Sequence, residues 1–549
     1  MIECFKQEKT EYKILTIAVL AAALFIICRI VYAGIISLPY PKELLEASNV
    51  ALTDTFLTGR SPYTLSSLKW YMPGVNYDYP FLNSLIAATI AKITGCNSVI
   101  AHFTVSIIST LGSGVIGWIL AERCSKTTVA PAIAGILFIF CHWRFGYISA
   151  APDDLGMLFL LFTSLVAVEP NIRNKPFWCA LGITFCFYTK QYFVFVAPGL
   201  FIYMLLYSRR DAIRLLIYSF LMNAVVAAVI TVYWPLYWTK AFLFTYVGSF
   251  IGGGGELSTL IYQFKYLIFL FAALFVVIIV ATAIALKKIY KSNRRLKDIK
   301  ISDNDPLAMS AVQSVLMLIP LYFLGRNDGA LLSYFLQLWI PYIVITALAC
   351  FERMLPGGVN TKDSVMPENS DKGISMIIKW IFPVIYAAIA VFTLYFGYAK
   401  LPLHILTSEE IDQWKKAYEY TEKFSLKGDI FYSRALAYDG FSRGNGEWMC
   451  GHEGEPDKES ENHLASIGLT YETYPYIHMI VEQNSNYRRN LVRKAENRGY
   501  SLITFETGDH FTAFNEYVCE KSGYRCIDRL TLQLGNMPYE VSFYAAVPF

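Results

Sequence analysis

The sequence predicts an α-helical polytopic membrane protein of about eleven transmembrane helices, followed by a small C-terminal α/β domain outside the cytoplasm. Three observations predict it. Of 549 residues, 55% are hydrophobic and only 16% are charged, where soluble globular chains carry about 25% charged residues; the mean hydropathy is +0.40. Apolar runs near the roughly twenty residues that a helix needs to cross a bilayer recur along most of the chain. Lys and Arg collect in short blocks between alternate runs, as membrane topology requires. The formal net charge of +4 is small and gives no reason to expect nucleic acid as a partner; the expected medium is the lipid bilayer.

The runs fall near residues 13–36, 98–121, 128–148, 153–170, 176–189, 191–208, 212–234, 261–286, 306–324, 329–351 and 375–398. The first is too long for the core of a cleaved signal peptide and reads as a retained span and signal anchor. The stretch PFLNSLIAATIAKITG (80–95) is short, follows Tyr79-Pro80 and ends at Gly95, so it reads as a juxtamembrane or re-entrant helix. With the N-terminus in the cytoplasm, the inner segments hold Lys6, Lys9, Lys13, Arg123, Lys126, Arg173, Lys175, Arg209, Arg210, Arg214, the block KKIYKSNRRLKDIK (287–300), Arg353, Lys362 and Lys372. Counting 80–95 as a span would push that block outside, against the charge rule. This predicts a transmembrane domain over 1–399, with 37–97 as a long first outer loop, and an extracytoplasmic domain over 400–549. In the latter, strand-like runs (GDIFYS, YIHMIVE, YSLITFE, EVSFYAAV) alternate with helix-like ones (SEEIDQWKKAYEYTEKF, SNYRRNLVRKAENRG). Most cysteines sit in or beside apolar runs as small hydrophobes, and none has zinc spacing. Cys519 and Cys526 either close a small disulfide loop or are unrelated thiols. No internal repeat of the transporter kind stands out.

Charged residues next to lipid carry the functional signal. In the first outer loop, Glu43 and Glu46 are three apart and share one face of a helix that starts after Pro39 and Pro41. Asp153 and Asp154 open a span in SAAPDDLGML. Lys190 and Gln191 lie between two apolar runs with almost no loop, and Arg326 occupies another tight outer turn. Arg29 sits in the outer half of the first span. Each has a plain structural reading: helix N-terminal acids favoured by the macrodipole, Asp caps, a lysine snorkelling to the interface. Their shared side is what matters, because the topology places Glu43, Glu46, Asp153, Lys190 and Arg326 together at the outer boundary. Acids beside cations there suit chemistry on a phosphate-linked substrate: cations hold the departing phosphate and a carboxylate accepts a proton from an attacking hydroxyl. That chemistry requires no cofactor, although a carboxylate pair has the capacity to hold a divalent cation.

These residues sit in five blocks: KELLEASNVALTDTFLTGRSPY with NYDYPFLNSLIA, ERCSK, APDDLGMLFLLF, FYTKQYFVFVAPGL and GRNDGALLSYFLQLW. In order and topology, over about residues 13–350, the chain resembles the GT-C class of glycosyltransferases, which use polyprenyl-phosphate-linked sugars. The likeness is nearest the branch of the protein O-mannosyltransferases and the lipid A aminoarabinose transferase. The resemblance implies an acid opening the first loop (Glu43, with Glu46), a GxxPY turn (Gly59 to Tyr63) and a Y-x-Y-P before the juxtamembrane helix (Tyr77, Tyr79 and Pro80). It further implies an Asp after the third span (Asp153) and a Lys-Gln at a short outer turn (Lys190, Gln191). Many relatives open the loop with Asp or Asp-Glu where this chain has Lys42-Glu43, which leaves the base among Glu43, Glu46 and Asp153. The implied activity is inverting transfer of a sugar from a polyprenyl phosphate to a glycan, lipid or protein acceptor. Lys190, Gln191, Arg326, Arg29, Tyr77 and Tyr79 are the expected substrate-binding residues. Transfer of a preassembled glycan from a lipid diphosphate, and transport of a lipid-linked sugar without covalent chemistry, are the alternatives. The long acidic first loop and the outer C-terminal domain favour an enzyme over a carrier.

Overall fold

The computed structural model describes residues 10–36, 40, 46–59, 61–63, 79–142, 150–238, 257–291, 301–324, 334–354, 372–399, 404–436, 446–448, 489–507, 514–535 and 537–546. Each run expected as a span contains helix, in this order: α1 (Thr10–Ile36), α2 (Glu46–Leu57), α3 (Leu82–Thr94), α4 (Ser98–Glu122), α5 (Val129–His142), α6 (Asp153–Val168), α7 (Lys175–Thr189), α8 (Val196–Tyr207), α9 (Arg209–Tyr233), α10 (Leu257–Leu270), α11 (Ala272–Lys291), α12 (Pro306–Leu316), α13 (Leu318–Leu324), α14 (Ile340–Met354) and α15 (Lys372–Ala399). Among the described residues, α1, α4, α9 and the stretch Phe335–Arg353 are each long and apolar enough to cross a membrane.

Several expected spans are broken rather than straight. The run 261–286 divides into two helices bent by 79° at a short break, and α5, Gln191–Tyr207, Pro306–Tyr322 and Pro383–Tyr398 are shorter apolar helices. The run 191–208 begins as a 3₁₀ turn (Gln191–Phe195), and α14 is entered through a π-helical turn (Phe335–Trp339). Breaks of this kind are tolerated where neighbouring helices, not lipid, surround the freed backbone groups. The helix α3 has only 13 residues and stops at Gly95, whose φ of +73° closes the helix in the left-handed region that glycine tolerates.

Burial divides the helices by environment. Nearly all of α5 is buried, as is most of α14, which fits helices that are apolar all round. Close approach of α4 and α5 depends on glycine: a Cβ on Gly135 would stand 2.9 Å from the carbonyl oxygen of Gly114. By contrast α9 exposes large apolar side chains, among them Phe220, Val225, Val229 and Val232, as contact with lipid would allow.

Polar contacts sort the chain ends of these helices into two layers. At one end, Thr16 bonds Thr128 at 2.9 Å, Arg123 pairs with Glu169, and Lys175 reaches Asp303 at 3.0 Å. There too, buried Glu352 accepts from Thr127 at 2.5 Å, from the backbone N–H of Lys126 at 3.0 Å and from Tyr386. At the other end lie α2, α3, the starts of α4 and α6, Lys190 and the C-terminal sheet.

That sheet has five strands, β1 (Asp429–Tyr432), β2 (Gly446–Trp448), β3 (Tyr500–Glu506), β4 (Tyr524–Leu534) and β5 (Met537–Ala546), in the order β2-β1-β3-β5-β4. The β1 strand is parallel to β2 and β3, while β5 runs antiparallel to β3 and β4. The helix α16 (Ser408–Ser425) packs on the sheet through Trp414 and starts at a capping box in which Thr407 and Glu410 satisfy each other's backbone N–H groups. The run expected as a helix near 485–499 is helical over 489–496. The longest strand, β4, escaped the sequence reading because Arg525, Asp528 and Arg529 interrupt its apolar pattern. The YIHMIVE run lies outside the described residues. Cys519 is buried and Cys526 exposed, and both are free thiols. One apolar cluster joins Trp414 and Leu532 of this layer to Tyr40, Val50 and Ala150 of the helical part, with Tyr40 stacked 5.2 Å from Trp414. The sheet therefore rests on the first loop and on the residues just before α6.

Candidate active site

The site is built where α6 begins and α7 ends. The α7 helix stops at Thr189 because Lys190 turns to an extended backbone, with φ −156° and ψ 118°, and the 3₁₀ turn follows at once. That turn packs on α6 through Phe193, against Gly156; a Cβ at Gly156 would fall 2.3 Å from the phenyl ring. The absence of a side chain there lets the turn approach, and the approach carries Lys190 to Asp153, one helical turn before Gly156.

Lys190 and Asp153 form a buried ion pair. Lys190 Nζ stands 2.6 Å from Asp153 Oδ2, and the residues are 1% and 5% exposed. Tyr192 donates its hydroxyl to Asp153 Oδ1 at 3.0 Å. The ammonium also lies over aromatic faces, 4.5 Å from the ring centre of Tyr79, 4.6 Å from that of Tyr192 and 5.7 Å from that of Tyr334, distances at which ring quadrupoles attract a cation. Tyr192 and Tyr334 meet edge to face at 4.6 Å. The sequence reading left the partner of this costly cation to a bound anion; the chain itself supplies one in Asp153.

The neighbouring acid faces a different way. Asp154 accepts from Ser106 of α4 and lies 3.1 Å from His142 Nδ1 at the end of α5. A second polar cluster ties α2 and α3 to α4: Thr53 Oγ1 lies 2.8 Å from His102 Nε2, Ser84 donates to the carbonyl of Asn49 at 3.2 Å, and Asn83 donates to Ala150 at 3.5 Å. Asp54 on α2 accepts from Ser98, and its carboxyl is raised above the ordinary carboxylate range by burial, with the Ser98 bond opposing.

Of the residues singled out from sequence, the structure brings together Asp153, Lys190 and Tyr79. Gln191 opens the 3₁₀ turn beside them. Glu46 begins α2 at the same end of the bundle, and Arg29 is exposed on α1. Glu43, Arg326 and Tyr77 lie outside the described residues. Tyr192, Tyr334, His142 and Ser106 were missed. In sequence they are ordinary members of apolar runs, and only Tyr192, two residues from Lys190, carried a signal by proximity. Among the described residues, no group of three or more His, Cys, Asp or Glu side chains is assembled as for a metal ion.

No family model matches the sequence, and no curated protein is similar to it. Its fold, however, is shared with solved structures. The chain is similar in structure to ArnT from Cupriavidus metallidurans, both bound to undecaprenyl phosphate (11% identity, covering 97% of this chain and 99% of that one, TM-score 0.56) and in the apo state (14%, 96% and 99%, 0.56). It is also similar to the apo oligosaccharyltransferase of Archaeoglobus fulgidus (11%, 89% and 69%, 0.52). At these identities the likeness is one of fold.

Proposed function

We propose that this protein transfers a sugar, with inversion, from a polyprenyl phosphate to an acceptor on the extracytoplasmic side of the membrane. One observation carries the proposal: a lysine ammonium, ringed by tyrosines and paired with an aspartate, is buried at the end of the helical bundle where the juxtamembrane helices and the sheet gather. Charge of this kind inside a membrane protein is costly to keep and marks function. The fold supports the substrate class, since one structure that shares it, ArnT from Cupriavidus metallidurans, is bound to undecaprenyl phosphate.

In this reading Lys190 grips the donor phosphate, with Arg326 from its outer turn. Arg29, exposed on the outer half of α1, meets the headgroup of a lipid arriving through the bilayer. Glu43 is the base, and Glu46 and Asp153 orient the acceptor or a divalent cation; no cofactor is required. Tyr77, Tyr79 and Gln191 line the donor site. The domain over 400–549, resting on the first loop, helps to hold the acceptor. Native mass spectrometry of the purified protein is expected to show retained undecaprenyl phosphate or its glycosylated form, displaced on addition of excess lipid phosphate. Retention of neutral or zwitterionic lipids alone would count against the reading.

The proposed orientation has the N-terminus in the cytoplasm and the sheet domain outside. Single cysteines placed in 287–300 and in the C-terminal domain should react with a membrane-impermeant maleimide from opposite sides. Reaction of both from one side would overturn it.

A further inference from the structure

Near the Lys190–Asp153 pair, polar atoms on three separate segments are buried with no hydrogen-bond partner among the described residues. They are Nε2 and Oε1 of Gln337, the hydroxyl of Thr189 and Nε2 of His142. Gln337 and Thr189 are 0% exposed and His142 is 1% exposed. Each is tied to the pair by a short path. Thr189 directly precedes Lys190. His142 lies 3.1 Å from Asp154, the residue after Asp153. Gln337 is three residues beyond Tyr334, whose ring centre is 5.7 Å from the ammonium, and belongs to the π-helical turn (Phe335–Trp339) that packs against α5 and α6. We propose that these groups recognise the sugar of the lipid-phosphate donor, with Gln337 as the principal contact, so that they rather than Lys190 select which sugar is transferred. This rests on the lipid-phosphate reading above and deepens it.

The chemistry of the set suits a sugar ring better than a phosphate. The Gln337 amide donates through Nε2 and accepts at Oε1, and the Thr189 hydroxyl does both. The Asp154 carboxylate beside His142 Nδ1 is an acceptor, so Nδ1 carries the proton and the neutral ring offers Nε2 as an acceptor. A sugar hydroxyl likewise donates and accepts, whereas a phosphate asks for donors and positive charge. Position agrees with chemistry, because the sugar is bonded directly to the phosphate and its site must adjoin the one that Lys190 serves. Gln337 carries the most weight. A buried amide without a partner is costly to keep, and π-helical turns are rare and recur at functional sites. The same turn satisfies its other polar side chain, since Trp339 Nε1 donates to the Ser314 carbonyl at 2.7 Å. An amide with no internal bond to give up brings its full hydrogen-bonding capacity to an arriving hydroxyl, and a site built this way rejects a ligand that lacks the matching group.

The test uses the full-length protein in nanodiscs and the polyprenyl phosphate fraction extracted from its native membranes, which holds bare and glycosylated carriers. Native mass spectrometry reads which of them the protein retains. Wild type should enrich the glycosylated carrier over the bare one. Gln337→Leu should lower that enrichment about tenfold, the size of one or two hydrogen bonds, with retention of the bare carrier unchanged. Thr189→Val should act in the same direction. Stability gives a second readout of opposite sign: leucine replaces an unpartnered buried amide, so the Tm of lipid-free Gln337→Leu should equal or exceed that of wild type. Unaltered enrichment in Gln337→Leu overturns the sugar site. A lowered Tm of the lipid-free variant also overturns it, because the amide would then be bonded inside the protein already, as to an internal water. Equal retention of bare and glycosylated carriers by wild type overturns the sugar site and leaves the phosphate reading intact, whereas retention of neither overturns the lipid-phosphate reading itself.

Discussion

Replacing Glu43 with Gln is expected to leave folding and donor binding intact and to lower turnover by about 10²–10⁴-fold, the range that general-base help contributes. A sugar or other hydroxyl is a poor nucleophile at neutral pH, so attack on the anomeric carbon gains from a base that accepts its proton as the bond forms. In the sequence Glu43 follows Pro39 and Pro41, three residues before the start of α2. In the proposed topology this part of the sequence lies just after the first span, on the side where a lipid-borne sugar would arrive. Glu46, three residues on, adds like charge that raises proton affinity. Glu46→Gln and Asp153→Asn belong in the same experiment, because the sequence leaves the base among the three acids. Normal turnover by Glu43→Gln together with an inactive Asp153→Asn would move the base to Asp153. The geometry gives that comparison a sharper meaning: Asp153 is held by Lys190 and Tyr192, so in the resting protein it is poorly placed to accept a proton.

Lys190→Ala is expected to fail twice. Removing one member of a buried ion pair strands the other, at a cost of about 3–5 kcal/mol, because Asp153 is only 5% exposed and loses the ammonium at 2.6 Å. The same change removes the grip on the donor phosphate, so lipid-phosphate binding should fall far more than acceptor binding. The double variant Lys190→Ala with Asp153→Asn separates the two losses. Thermal stability should return toward wild type, since both charges of the Lys190–Asp153 pair are gone, while donor binding stays absent. Donor affinity restored along with stability would remove Lys190 from the donor site and leave it a structural cation. Lys190→Arg is a further contrast, because the planar guanidinium and the ammonium are not equivalent inside an aromatic cage.

The contacts at the end of the bundle away from the sheet show how a charge becomes structural rather than functional. Glu352 is 1% exposed, yet its carboxylate accepts from Thr127, the Lys126 backbone and Tyr386. It ties the end of α14 to the turn before α5 and to α15. Nothing in the sequence around Glu352 distinguished it from a solvated helix end, because burial depends on which helices surround it.

Composition, run length and the distribution of Lys and Arg determined the class of this protein on their own: helical, membrane-embedded, with a polar C-terminal part. Those properties are local sums, and transfer into lipid depends on each segment's own apolar surface and charge, not on its neighbours. The shortness of the helix within 80–95 was legible from the length of its apolar run and its Gly95 stop. Individual residues such as Lys190 and Asp153 were also legible, because a charge between apolar runs is conspicuous. Only the tertiary structure decided what those charges do to one another. It showed that Asp153 turns to Lys190 while Asp154, the next residue, turns to His142 and Ser106. It also brought Tyr79, Tyr192 and Tyr334 from three separate segments around one ammonium. Adjacent residues on a helix point about 100° apart, and which neighbour each meets is set by how α4, α5, α6 and α7 pack, through contacts such as Phe193 on Gly156 that have no signature in the order of the chain.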